Sequence, residues 1–404
     1  MKKGRAQLSK QDKLIIILGA VAAIGPLSID MYLPGFSAIA KDLNTSISTV
    51  SISLTTYFVG ISVGQIAYGP ILDKYGRKRP LLIGFTIYLL AAIGCAMAPN
   101  IEVFIALRLL LALGGCVGMV ASRAIIRDRF ESNEIARAFS SLILVMGVAP
   151  IIAPTLGGEI ISALNWRFIF WFLTGYSLLL LILIQVSLPE SFEGNRGVSL
   201  RPRQVALNYW EVLKNRQFLV FGGAATIGLA GMFTYISGSP YVLMEILGFE
   251  EKQFGWLFGL NASGFIAASQ INKALLKKRN SENVSRFVSF ITLASTLSLG
   301  LHAAMGFPST FGFLASLFVF VASLGFINPN MQAVALQPFK DNAGVASALI
   351  GSIRMLGGAI ASSLIGLLHN DTAYPMIFLM LGCALAVVLI LQLRRRQAFA
   401  LDLN

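Results

Sequence analysis

The sequence predicts an all-α membrane protein in which twelve transmembrane helices form two pseudo-symmetric bundles of six. Three observations predict it. Of 404 residues, 56% are hydrophobic and only 13% charged, against roughly 25% charged in an ordinary soluble domain; a water-soluble fold of this composition would leave large apolar patches exposed. The apolar residues are also gathered into runs. Residues 14–27, 81–98, 168–188 and 311–327 contain no acidic or basic side chain, and about 20 apolar residues suffice for a helix to cross hydrocarbon. Finally, Lys and Arg are sorted by loop. Once spans are assigned, 27 of the 32 fall on one side, Lys41, Arg167 and Lys252 fall on the other, and Arg108 and Arg354 lie within spans. That bias puts the basic loops and both termini in the cytoplasm, which requires an even number of spans.

The first span is read at 14–36. A basic start followed by an apolar stretch also suits a cleavable signal peptide. Here, however, the stretch runs into Ser28, Ile29 and Asp30 with no small-residue cleavage site, so it is read as retained. The second span, 49–71, leads into the loop GPILDKYGRKR at 69–79. Gly76 permits a tight turn there, and Asp73 can accept from a helix N-terminus or an arginine. A charged knot of this kind can latch one conformation, whereas a plain stop-transfer loop needs neither residue. The third span is 81–98 and the fourth, with Arg108, 101–122. The fifth, 141–162, contains Gly147, Pro150, Pro154, Gly157 and Gly158, with Ala149 and Ala153 between them. Proline removes a helix hydrogen bond and small residues let helices approach closely, so this span is either a bent, moving helix or a packing seam. The sixth is 166–188.

A polar linker, 189–216, separates residues 1–188 from 217–404. Within it VALNYWEVL at 205–213 suits either a helix lying on the membrane surface or an unstructured connection. The seventh span, 217–240, ends in a run at 233–241 where Gly238 and Pro240 are expected to break the helix and expose Tyr235, Ser237 and Ser239 to a cavity. The eighth, 253–272, is followed by a basic cluster (SQINKALLKKRN) that faintly echoes the 69–79 loop. The ninth, tenth, eleventh and twelfth are 287–306, 310–332, 343–367 and 373–393, with Arg354 eleven residues into the eleventh. Gln270, Asn272, Asn328 and Asn330 read as polar glue between helices. Six spans, a basic linker and six more suit a transporter with a midplane site between two halves.

Ionisable groups inside spans are costly and demand a reason. At 1.5 Å per residue, Asp30 and Arg108 lie at similar depths, about a third of the way in from the outer face. Two readings are open: a charge pair lining a cavity, or a fixed pair locking spans one and four together. Burial favours a neutral carboxyl and a neighbouring guanidinium favours the charged one, so a site alternating between the two would bind and release a proton. Arg354 either holds an anionic group of a ligand or pairs with helix carbonyls.

The +13 net charge is sorted by topology and shows no clustered basic face with stacking aromatics, which excludes a nucleic-acid module. Cys95, Cys116 and Cys383 fall in apolar runs, so no disulfide framework is expected. His302 and His369 stand alone near outer helix ends and suggest no metal. No constellation of His, Asp and Ser near the interface points to a membrane-embedded enzyme, and a sensor would usually append a soluble domain.

The loop GPILDKYGRKRPL at 69–81 resembles the signature between spans two and three of the major facilitator superfamily. IDMYLP at 29–34, SRAIIRDRF at 122–130, APIIAPTLGG at 149–158, NWRFIFWF at 165–172 and YISGSP at 235–240 are similar to its Bcr/CflA group of drug:proton antiporters. The resemblance covers most of the chain and implies the major facilitator fold. It implies that Asp30 is the acid of proton or substrate coupling and that Arg108 is the arginine tied to proton transfer. It further implies that Gly147, Pro150, Pro154, Gly157 and Gly158 form the antiporter helix. The cytoplasmic gate would comprise Gly69, Asp73, Gly76, Arg77, Lys78 and Asp128; the candidate cavity, read from the residues themselves, comprises Tyr32, Tyr235, Ser237, Ser239 and Arg354. Leu111 stands where the group often has Gln, and Ala149 and Ala153 replace two glycines of the motif. Ala22 stands where some relatives carry a second acid, which argues against coupling more than one proton there. The expectation is a monomeric, cofactor-free exporter in the inner membrane, exchanging a hydrophobic or amphipathic small molecule for a proton. The alternative cargo is an endogenous product such as a siderophore or nucleobase.

Overall fold

The computed structural model describes residues 10–131, 134–195, 197, 200, 202–339 and 343–401, and these contain helices and no strands. Lys340 and several linker positions therefore lie outside the described residues. In chain order the helices are α1 (Lys10–Asp30), α2 (Phe36–Asp42), α3 (Ile47–Tyr75), α4 (Lys78–Ala96), α5 (Ile101–Arg129), α6 (Ile135–Ala163) and α7 (Arg167–Ser187). After these come α8 (Pro202–Leu213), α9 (Gly223–Pro240), α10 (Glu251–Leu275), α11 (Ser281–Ala304), α12 (Thr310–Leu336), α13 (Ala343–Leu367) and α14 (Tyr374–Leu401). Eleven stretches are long and apolar enough to cross a membrane, with α1 and α2 counting together as one. The twelfth expected span is α10. It is long enough but carries Asn261, Ser263, Gln270 and Asn272, and it packs between α6 and α12.

Caps, more than hydropathy, decide where several spans begin. Ser46, Asn100, Asn280 and Ser309 each accept a first-turn backbone N–H at 2.9–3.1 Å, opening α3, α5, α11 and α12. Asn280 thus starts α11 six residues before the expected 287. Likewise α5 continues past its apolar run to Arg129, which places Arg123 on the helix and not in a loop.

Two expectations about helix breaks are corrected. The first span is interrupted: α1 stops at Asp30, a short 3-10 turn spans Leu33–Gly35, and α2 continues outward. Asp30 therefore lies further from the outer end than the reading of 14–36 put it. The seventh span is not interrupted at Gly238 or Pro240. Pro240 cannot donate to Ile236, and the chain answers by widening into a π-helical turn over Tyr241–Ile246, continued by Leu247 N–H donating to Val242 O at 3.1 Å. Gly238 instead makes room for Met376 of α14, whose side chain would lie 2.8 Å from a Cβ there.

Call the side bearing the start of α1 and the end of α14 the terminal side, and the other the remote side. On the remote side Asp42 of α2 accepts from Trp166 (3.0 Å) and Arg167 (2.9 Å), and Arg167 also donates to the carbonyls of Ala96 and Ala98. These bonds account for the NWRF stretch: it ties α2, α4 and α7 together. Large apolar side chains such as Ile83, Leu90, Leu179, Val186, Phe287 and Phe378 point outward, as lipid-facing helices require. In the linker, α8 docks on α3 through Tyr209, which donates to Ile66 O at 3.2 Å, while Leu207 and Trp210 face outward. The helical reading of 205–213 is the one observed.

Helices of the first and second halves of the chain meet along two seams, α3 with α13 and α6 with α10. The α6–α10 seam is closest toward the remote side, whereas α3 and α13 stay in contact as far as Gln65, which a Cβ on Gly351 would overlap. Along α6, a Cβ on Gly158 would lie 2.6 Å from Glu251 O; from the other side, Cβ atoms on Gly255 and Gly259 would lie 2.6 and 2.8 Å from Pro154 O and Ile151 O. Backbone touches backbone there. Glu159 pairs with Lys252 at 3.0 Å, and Ser37 donates to Glu245 at 2.6 Å. Across the other seam Ser62 donates to Ser352 O at 3.0 Å and Ser362 to Ser51 O at 3.4 Å. Toward the terminal side α6 and α10 part.

Candidate functional site

Asp30 ends α1 at the break before the Leu33–Gly35 turn. It is 4% exposed and has no hydrogen-bond or ion-pair partner among the described residues. The turn that follows it packs against α6, α9 and α10, so the acid sits where the two halves meet. It lies within electrostatic reach of the Tyr235 hydroxyl on α9, which accepts from Asn261 at 3.0 Å and whose ring stacks on Phe258. Behind it α6 comes very close: a Cβ on Gly157 would lie 1.9 Å from Met31 O, so only glycine fits.

The expected charge pair between Asp30 and Arg108 is not formed. Arg108, fully buried, donates through Nη1 to Ser28 O at 2.9 Å. Its guanidinium lies 4.1 Å from the Tyr32 ring centroid and 4.4 Å from that of Tyr57, a stacking that favours the cation electrostatically. Nε and Nη2 have no partner. Ser28, whose hydroxyl is bonded to that of Tyr88 at 2.6 Å, gives its carbonyl to the arginine. Tyr32 thus belongs to this cluster and also reaches Ser53 at 3.3 Å. Ser237 and Ser239 are buried, their hydroxyls unpartnered.

The open cavity lies elsewhere. About 630 Å³ separates α5 and α6 from α9, α10, α12 and α13 on the terminal side, lined by Gly147, Pro150, Arg123, Arg127, Gln332 and Arg354 among others. Arg354 therefore faces the cavity, donating to Gln332 and leaving Nε unpartnered. Asp30, Tyr32, Tyr235, Ser237 and Ser239 do not line it, contrary to expectation. The contact of Gly157 with Met31 lies seven residues beyond Pro150, about 10 Å along α6. That contact lies within the first half, and beside it Gly158 meets Glu251 O across the seam, so backbone stands between the acid and the cavity.

On the terminal side the gate residues assemble. Arg77 donates to Asp73 and Asp128, each at 2.8 Å, and lies over the Phe192 ring at 4.6 Å. Burial works against its charge, but Asp128 and Asp73 outweigh it and hold the cation above the ordinary arginine value. Gly76 takes φ +84, a region open mainly to glycine. Lys78 donates to Gln185 O at 2.8 Å; Gly69, with Asp73 and Arg77, lines a second cavity of about 480 Å³ bounded by α3, α5, α8 and α13. The network joins α3, α4, α5 and the segment after α7, all in the first half of the chain.

Sequence reading missed Glu190, whose carboxylate accepts the N–H groups of Arg77 (2.8 Å) and Lys78 (3.0 Å) and so caps α4. It missed Arg123, counted as a loop charge, and Gln332. Only the helical phase of α5, carried one further turn, could have found Arg123. Of the polar glue, Asn272 and Asn330 bond reciprocally at 2.8 and 3.1 Å, while both amide atoms of Asn328 lack partners. No group of three or more His, Cys, Asp or Glu suited to a metal occurs among the described residues.

A family model, the Major Facilitator Superfamily, matches residues 18–362 and 239–399. The chain is similar to the Bacillus subtilis protein named uncharacterized MFS-type transporter YdgK, 34% identical over 90% of each chain. It is similar to the bicyclomycin resistance protein homolog of Haemophilus influenzae, 33% identical over 93% of this chain and 94% of that one. The multidrug resistance protein MdtL of Shigella flexneri is 29% identical over 94% and 95%. Among solved structures, a bacterial homolog of the human lysosomal transporter Spinster, described as inward-facing and unoccupied, aligns over 96% of both chains with a TM-score of 0.69 at 12% identity. That last likeness speaks to fold alone.

Proposed function

The chain belongs to the Major Facilitator Superfamily and, within it, to the Bcr/CflA type of drug transporter, and on that premise we propose that it is a proton-coupled antiporter exporting small amphipathic molecules across the cytoplasmic membrane. It is a multi-pass membrane protein; the sorting of 27 basic residues to the terminal side supports placing that side in the cytoplasm. The cavity then opens inward and the remote seams close the outer side.

One observation carries the coupling step: an unpartnered, buried carboxyl at a helix break, held between the two halves and out of reach of the open cavity. A buried acid without a partner favours its protonated form, and contact with water favours release. In this conformation Asp30 is shut in. Rocking of the halves would part α6 from α10, expose Asp30 to the outer water and close the inner cavity. A proton taken from outside would permit return to the inward-open state, and loading of cargo would then have to open a path between Asp30 and the cavity for the proton to leave inward. Arg108 acts on this step indirectly, by holding the backbone of Ser28 two residues before the acid.

The test uses purified protein in vesicles with an imposed pH gradient, screened against drug-like and metabolite panels. Asp30→Asn should abolish gradient-driven movement with folding intact. Full coupled transport by that variant would remove Asp30 from this role.

A further inference from the structure

Resting on the transport reading, we infer that the inward-open cavity selects amphipathic organic anions, whose negative group is held between Arg123 and Arg354. The cavity has two chemically distinct parts. One wall, from Phe139, Leu142 and Met146 of α6 and Phe265 and Ile266 of α10, is apolar. The same cavity also presents guanidinium groups from α5 and α13, on the two halves of the chain. Arg123 and Arg354 line the same cavity, and neither has a carboxylate partner among the described residues. No acidic residue lines this cavity among those described, while Arg123 and Arg127 also border the second cavity, on which Asp73 stands. Arg354 donates to the neutral amide oxygen of Gln332, which orients it without neutralising it, and its Nε remains buried and unpartnered.

Two like charges facing one cavity repel each other, and neither has a carboxylate partner there. Nothing in the packing compels this arrangement: a cavity for cationic or neutral cargo would be better served by Gln at either place. A carboxylate or sulfonate between the two would relieve the repulsion, satisfy Arg354 Nε and bridge the two halves. An aromatic or aliphatic body on the same molecule would lie on the α6–α10 wall. Guanidinium suits such a group because its planar donors match two oxygens at once.

The experiment measures binding to the full-length protein in neutral detergent by thermal shift and fluorescence titration, with no gradient, so its result is independent of proton coupling. The probes share one ring system: 1-naphthaleneacetate, its neutral amide and 1-(1-naphthyl)ethylamine. The acetate should bind most tightly, the amine least. Arg354→Gln and Arg123→Gln should each weaken the acetate about tenfold or more and leave the amide unchanged, since a charged hydrogen bond is at stake. Arg354→Lys, which keeps the charge, should recover part of the loss. If the amide or amine binds the unaltered protein as well as the acetate does, if the acetate does not bind, or if the variants weaken all three equally, the inference is overturned. The comparison of probes on the unaltered protein stands even if a variant fails to fold. Displacement of the acetate by added phosphatidylglycerol would assign the site to a lipid headgroup and overturn the assignment to a soluble solute.

Discussion

The guanidinium of Arg108 donates to the backbone carbonyl of Ser28 at 2.9 Å, so the arginine grips the helix that carries the acid and leaves the acid itself free. A buried ion pair between Arg108 and Asp30 would stabilise the carboxylate at all times. An arginine spent on a carbonyl and two aromatic faces leaves protonation of Asp30 to be decided by access to water.

This arrangement makes a prediction about Arg108. Its Nε and Nη2 are buried without partners, so the desolvation of the cation is poorly offset. Replacing such a charge by an apolar side chain of similar size is often neutral or stabilising. Arg108→Met should therefore keep the melting temperature within a few degrees or raise it, while gradient-driven exchange in vesicles falls steeply. A loss of stability above about 2 kcal/mol, the value of a desolvated cation–π contact, would show that the residue serves the fold first.

At the terminal latch the two acids should rank unequally. The Asp128 side chain is 18% exposed and that of Asp73 57%. Exposed ion pairs contribute about 0–1 kcal/mol, and burial raises the stake. Asp128→Asn should destabilise more than Asp73→Asn, and Glu190→Gln, which loses a charged helix cap, should cost about 1 kcal/mol. Melting of the three variants in the same detergent checks the order; a larger loss at Asp73 would contradict it.

Gly157 and Gly158 face different partners, and their substitutions should separate. A Cβ at 157 meets Met31 O at 1.9 Å, within the first half; one at 158 meets Glu251 O at 2.6 Å, across the seam. Gly157→Ala should destabilise by about 1–3 kcal/mol through overpacking. Gly158→Ala should instead weaken the remote-side closure, which faster maleimide labelling of a cysteine at Ser37 would register. Equal labelling with and without the substitution would count against the seam as a moving part.

The pair Glu159–Lys252 spans that same seam at 3.0 Å. In Glu159→Cys/Lys252→Cys, a short bifunctional maleimide should link the two halves and stop exchange, whereas either single variant treated alike should transport normally. Undiminished exchange in a fully linked sample would mean that the remote side need not open. The native Cys95 and Cys116 are buried, and Cys383, partly exposed, is replaced by Ser in every sample.

The apolar middles of the spans and the turn of Asp73, Gly76 and Arg77 were legible in the sequence, whereas several span ends lay six or seven residues away and Asp128 came from the resemblance. Hydrocarbon demands unbroken apolar runs, and the glycine-and-charge pattern of a tight basic turn is local in the chain. The helix break at Asp30, the continuity of α9 through Pro240 and the partner of Arg108 were not legible. Each depends on which helix stands opposite: Met376 decided what Gly238 is for, and Tyr32 with Tyr57 decided where a guanidinium could rest. Only the tertiary structure could say which buried polar groups face the open cavity in this conformation, because that follows from how two halves lean on each other. The lean closes the seam over Asp30, Tyr235, Ser237 and Ser239 and leaves Arg354 and Arg123 facing open space. A single chain's order of residues specifies what can line a passage, and the packing of one bundle against the other decides what does.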